Sequence, residues 1–310
     1  MNELKTLKKA NFHLHLTGAL TADDLRYLSK ITKIDISLFE PLENKYIFQN
    51  NTIWDIAKKI ISTEKGLCEA IKLVLQREVD DNVIYVEITI NPFGLIHRGM
   101  KIPSIINGIK LGCAFGETIG IKCKIKFGIN RKDGIESVQA VNEVFNACPE
   151  DLRLCIDLNG NERKYPTILF LNDFKKLIAN KIPVSLHVGE FIGLNHSLLN
   201  TVNIKPKRIA HAVAFQDHPK ILNKILKNKI LIELSPISNN KTGSIKNIQD
   251  HPIKELIRKN VLIGIGSDDP AFFKSSMTLE LEAIHLMGIP IAKIIEVNNK
   301  SLEIAGIQLL

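Results

Sequence analysis

The chain has 310 residues, 45% hydrophobic and 24% charged, with a formal net charge of +8. That balance excludes a disordered or fibrous chain and supplies enough apolar residues for a large core. The positive charge is scattered over lysines rather than gathered in a block, and aromatic residues make up only 6%, so no nucleic-acid partner is expected.

The five cysteines (Cys68, Cys113, Cys123, Cys148 and Cys155) are odd in number and contain no C-x-x-C pair. A disulfide framework or zinc ribbon is not expected, and a reducing compartment fits. The stretch Met1–Asn11 is lysine-rich and no apolar run long enough for a signal-peptide core follows it, and no uncharged apolar segment of about 18 residues occurs. The expectation is a cytoplasmic protein with no membrane partner.

In chain order, the first apolar run is Phe12-His13-Leu14-His15-Leu16-Thr17-Gly18. On a strand, alternation puts His13 and His15 on one face and Leu14 and Leu16 on the other. Thr17–Asn82 then reads as several helices inserted after strand one. Thr21 with Asp24, and Thr52 with Asp55, make capping-box patterns, and Leu67, Ile71, Val74 and Leu75 mark a helix over Gly66–Val79. Val83–Ile90 is the second strand, closed by Asn91-Pro92. Ile121–Ile129 is the third, after a helix over Ser104–Ile119, and Leu152–Leu158 is the fourth. Pro183–Val188 is the fifth, after a helix over Ile168–Asn180. Arg208–His211 is the sixth. Ile230–Leu234 follows a helix at Pro219–Lys227, and Val261–Gly266 follows one at Ile253–Lys259. Helices over Ser276–Met287 and Ile291–Ala305 end the chain. Strands alternating with helices predict an α/β fold, a (β/α)8 TIM barrel with extra helices inserted after strand 1, spanning 1–310 as a single domain. An open doubly wound sheet is the alternative, but neither G-x-G-x-x-G nor G-x-x-x-x-G-K-[ST] is present.

A parallel barrel carries its chemistry at the C-terminal ends of its strands. His13 and His15 end strand one, His187 ends strand five three residues before Glu190, His211 ends strand six, and Asp268 and Asp269 end strand eight. Taken singly, each is explicable as a core histidine or a helix cap. Together they fall on one rim. Three imidazoles and a carboxylate (His13, His15, His187 and Asp268) suit a borderline cation such as zinc, leaving a position for water whose pKa the metal lowers. Glu190, His211 and Asp269 are then free to move protons. The predicted chemistry is hydrolytic attack on an electrophilic carbon.

His13-Leu-His15-Leu-Thr-Gly18, Tyr85-Val-Glu87, Asp157-Leu-Asn-Gly160-Asn-Glu162, His187-Val-Gly-Glu190, Arg208-Ile-Ala-His211, Ser235-Pro-Ile-Ser238-Asn239 and Ser267-Asp268-Asp269-Pro270 occur in this order. Through these motifs, over nearly its whole length, the chain resembles the adenosine deaminase branch of the amidohydrolase superfamily. The resemblance implies a (β/α)8 barrel with one catalytic Zn2+ per chain on His13, His15, His187 and Asp268, with Fe2+ or Mn2+ left open. It implies that Glu190 protonates N1 of a purine, that His211 and Asp269 orient the attacking hydroxide and relay its proton, and that Gly160 lies against the purine ring. The implied product is the 6-oxopurine plus ammonia. A cytidine-deaminase type of site is not indicated, because P-C-x-x-C is missing. Nor is a two-metal amidohydrolase, because Asp157-Leu158-Asn159-Gly160 carries no bridging lysine at the end of strand four.

Two positions depart from the family. Thr17 stands where adenosine deaminases usually have an aspartate that meets the ribose 5′ hydroxyl, and Ala212 follows His211 where glycine is usual. Thr17 leaves the sugar side open. The expected substrate and partner is a small 6-aminopurine nucleoside, adenosine or a 5′-modified adenosine, with adenine or aminodeoxyfutalosine as alternatives. Another metal-dependent hydrolase on this barrel, and a catalytically silent nucleoside-binding homologue, are the readings outside deamination. The oligomeric state is not legible in the sequence.

Overall fold

The computed structural model describes residues 2–37 and 51–308. Eight parallel strands run in the order β1 to β8 around a barrel: β1 (Lys9–His15), β2 (Val83–Ile90), β3 (Lys122–Asn130), β4 (Arg153–Asn159), β5 (Val184–Val188), β6 (Arg208–His211), β7 (Leu231–Leu234) and β8 (Ile263–Ile265). The ring closes where Leu14 bridges Asp268. There the His15 N–H donates to the Asp268 carbonyl at 2.9 Å and the Asp268 N–H to the His13 carbonyl at 2.8 Å. The two aspartates thus lie beyond the last strand, on a loop that the closing bridge clamps.

The helices form where apolar periodicity and caps coincide. Thr21 and Asp24 make the reciprocal capping box, at 2.8 and 3.2 Å, ahead of the helix Ala22–Thr32. Thr63 caps Glu64–Asp80 by accepting from the Gly66 N–H at 2.9 Å. The described helix runs Asn51–Ile60, which places Thr52 within its first turn rather than ahead of it. The expected helix over Ile168–Asn180 is divided, with a 3-10 turn at Thr167–Leu169 after Pro166 and a helix at Leu171–Ala179. Helices at Glu136–Ala147 and Asn195–Asn203 complete the β3–β4 and β5–β6 crossovers. In the second of these, three asparagines and no strong apolar stripe hide the period. Part of the insertion after β1, residues 38–50, lies outside the described residues. In the rest of it Trp54 stacks on Phe272, just past the aspartates of the rim, with ring centroids 4.3 Å apart, while the helix Glu64–Asp80 lies outside the barrel against Ile102–Thr118.

Along the barrel axis the interior changes character twice. At the N-terminal ends of the strands Ala10, Phe12, Tyr85 and Leu231 meet Leu302 of the last helix in an apolar plug. Above it four buried charges, Glu87, Lys126, Arg208 and Glu233, form an ionic layer. The histidines and aspartates occupy the C-terminal mouth. The main apolar core wraps the outside of the strands beneath the helices. Strand β1 serves both sides because its register slips between Asn11 and Leu14: Phe12 faces the plug, while Leu14 faces the outer core and His13 and His15 face the mouth. Among the described residues no helix is long and apolar enough to cross a membrane, and all five cysteines are buried and unpaired.

Candidate active site

The residues expected from strands one, five and eight come together. His187 Nε2 lies 3.0 Å from His13 Nε2 and 3.1 Å from His15 Nε2. Asp268 Oδ1 lies 3.5 Å from His13 Nε2 and 3.4 Å from His15 Nε2. Four ligands about 2.1 Å from one tetrahedral centre would be about 3.4 Å apart. The ring orientations agree with that centre. The Nδ1 of His13 meets Glu233 at 2.8 Å and that of His187 meets Asp157 at 3.0 Å, so both rings turn Nε2 inward. Ser238 donates to the other oxygen of Asp268 at 2.5 Å.

The electrostatics of the cluster call for one positive charge. Burial opposes a charge on His13, yet hydrogen bonds to Asp268 and Glu233 outweigh it and lift its pKa to about 10. His15, penalised by burial and by His13 and His187, drops to about 3. Burial also lowers His187, against the pull of Asp157. Three inward imidazoles and a carboxylate therefore form a donor set suited to a divalent cation.

Glu190 stands half-buried beside this set, accepting from the Thr242 and Ser244 hydroxyls at 3.4 Å each. Burial and the neighbouring Asp268 push its carboxyl up to about 7. Asp269 is buried, with one oxygen unpartnered. Burial and Asp268 hold its carboxyl well above the usual range. Gly18 makes room for it, since a Cβ there would fall 1.7 Å from Asp269 Oδ1. The buried His211 ring lies 5.4 Å from that of His13 and 5.2 Å from that of His187, and burial lowers its pKa to about 4. Ala212 adopts φ +53, the left-handed region where glycine costs nothing. His211 and Asp268 share that strained conformation at φ +68 and +60.

Thr17 is half-buried in the short helix Leu16–Ala19 that leaves β1, and its hydroxyl has no partner among the described residues. Gly160 ends β4 on the same rim at φ +93, and a Cβ would fall 2.8 Å from Asn130 Oδ1.

Several supporting residues carry no role in the sequence reading. Asp157 and Glu233 orient two of the imidazoles. Arg131, fully buried, donates to the His187 carbonyl at 2.6 Å. Glu162 accepts from the Gly189 N–H at 2.8 Å. A signal was present for Glu233, the one charge in the apolar strand Leu231–Leu234.

The barrel and its rim of histidines and acids define an amidohydrolase-type enzyme. A family model described as adenosine deaminase matches residues 8–308, and the chain belongs to that family, whose members hydrolyse amidine C–N bonds. An adenosine deaminase of Enterococcus faecalis is 24% identical over 90% of this chain and 86% of its own length. An adenine deaminase of Stutzerimonas stutzeri is 26% identical over 91% of each. The fold matches that of an amidohydrolase from Burkholderia ambifaria solved with bound zinc, at a TM-score of 0.83 and 18% identity, over 97% of this chain and 86% of that one.

Proposed function

We propose that this protein is a zinc-dependent deaminase of 6-aminopurine nucleosides, adenosine or a 5′-modified adenosine. The observation that carries this reading is the pairing of a four-donor cation site with a proton-bearing carboxyl, Glu190, three residues after His187. His13, His15, His187 and Asp268 would hold the metal. A zinc ion there supplies Lewis-acid activation of the attacking water.

The remaining chemistry belongs to the side chains. Glu190 keeps its proton close to neutrality and donates it to N1, which drains electron density from C6 as water adds. Asp269, buried with one oxygen unpartnered, receives the proton that water gives up. His211 hydrogen-bonds the same water and holds its approach. Gly160, having no side chain, lets its backbone lie against the base, and the Thr17 hydroxyl faces the sugar. Asp269 passes the water's proton on to N6, the second proton of the attacking water returns to Glu190, and breaking the C6–N6 bond releases ammonia and leaves the 6-oxopurine. Thr17 supports a sugar-side group other than the plain 5′ hydroxyl, since it offers a neutral hydrogen bond and no repulsion to an anion.

Ammonia release from adenosine, adenine, 5′-methylthioadenosine and aminodeoxyfutalosine tests the reading. Turnover of a nucleoside well above adenine is the expected result. Preference for adenine would shift the substrate to the free base, and no turnover of any would overturn deamination.

A further inference from the structure

Behind His211, on the side away from the cluster, runs a chain of three hydrogen bonds that ends on the backbone. The Ile253 N–H donates to His251 Nδ1 at 3.1 Å. His251 Nε2 lies 3.2 Å from Asn239 Oδ1, and Asn239 Nδ2 lies 3.1 Å from His211 Nδ1. All three side chains are buried.

The order of donors along this chain follows from its fixed end. A backbone N–H can only donate, so His251 Nδ1 accepts and the ring is neutral with its proton on Nε2. Burial, which pushes the His251 pKa down to about 3, agrees with a neutral ring. That Nε2–H must find an acceptor, which is the Asn239 oxygen. The Asn239 amide is thereby oriented, and a 180° flip would set N–H against N–H. Its NH2 group donates to His211 Nδ1, which accepts, and the His211 proton is left on Nε2. Because Nδ1 is bound to Asn239, Nε2 is the nitrogen free to face the rings of His13 and His187.

From this chain we infer that His251 and Asn239 are positioning residues that lock His211 in its Nε2–H tautomer. Locked this way, His211 offers the site a hydrogen-bond donor and no lone pair. It is neither a metal ligand nor the base that takes the water's proton. That duty passes to Asp269, and His211 steadies the oxygen as its charge rises. A lone His211 would be free to present either face. The inference deepens the reading of His211 in deamination and rests on it for the catalytic consequence alone.

The test is the tautomer itself, read in long-range 1H–15N correlation spectra of protein labelled with 15N in its histidine rings. Signals are assigned through His211→Gln and His251→Gln, and the protein is loaded with zinc. The wild type should show His211 and His251 both protonated on Nε2. In Asn239→Asp the carboxylate can only accept, so the His211 proton should move to Nδ1 while His251 stays as it was. With a turned-over nucleoside, that variant should lose roughly 10²- to 10⁴-fold in kcat, the scale of a wrong histidine tautomer, with KM little changed. A wild-type His211 protonated on Nδ1 would overturn the inference, as would an unmoved proton or an unmoved kcat in Asn239→Asp. If that variant does not fold, the wild-type spectrum decides alone. The spectra need no turnover, so a failure of the deaminase reading would leave this result standing and readable.

Discussion

Two polar layers lie one above the other inside this barrel, and they are built on opposite terms. In the lower one Lys126 Nζ meets Glu233 at 2.6 Å and Glu87 at 3.1 Å, and Arg208 meets Glu87 and Glu233 at 2.8 Å each. Tyr85 and the Phe12 carbonyl take two of the remaining positions, at 2.9 and 2.7 Å. Two cations answer two carboxylates. The mutual attraction holds Lys126 above the usual lysine value against burial, and holds the Glu233 carboxyl well below its own. In the upper layer the donors converge without a matching side-chain cation, so a proton on His13 and raised carboxyls at Glu190 and Asp269 carry the imbalance. The lesson is that burial of charge alone does not mark a site. Compensated charge is scaffold, and uncompensated convergence marks where a cation and a substrate enter. Glu233 joins the two layers, since it also holds the Nδ1–H of His13.

Substitutions can break this contrast, with the largest effect expected in the upper layer. Glu190→Gln keeps the shape but cannot cycle a proton, so kcat should fall by about 10²- to 10⁴-fold in steady-state assays while zinc content stays unchanged. Its pKa is raised, so the acid form persists up to about pH 7. Activity should therefore decline as pH rises past that point, and the pH–rate profile should show this alkaline limb.

In the lower layer Lys126→Met leaves two carboxylates to a single Arg208. Removing one partner of a buried ionic set costs about 3–5 kcal/mol, to be read from denaturant unfolding. A loss under 1 kcal/mol would mean that the layer is not held by its charges. Smallest of all, Thr21→Ala removes half the capping box of the helix Ala22–Thr32 and no side chain of either layer. It should cost about 1 kcal/mol and leave kcat alone.

The upper layer was the more legible of the two in the sequence. His13 and His15 share a face through the two-residue period of a strand, and His187 and Glu190 sit in one short motif, so local spacing suffices to bring out their chemistry. The lower layer pairs residues more than a hundred positions apart, such as Lys126 with Glu233 and Arg208 with Glu87. Those partnerships depend on barrel stagger, which no local pattern encodes. The slipped register of β1 was hidden for the same reason, and the helix Asn195–Asn203 because polar residues blur its period. Thr52 misled because a capping pattern can lie within a helix as readily as before one.

The account stands on the claim that His13, His15, His187 and Asp268 form one cation site. Zinc content per chain, measured after loading and desalting, tests it most directly, in wild type and in folded His15→Ala/His187→Ala protein. The account predicts about one zinc per wild-type chain and almost none in the double variant. A wild type that retains no zinc, or a double variant that retains as much as wild type, would contradict it.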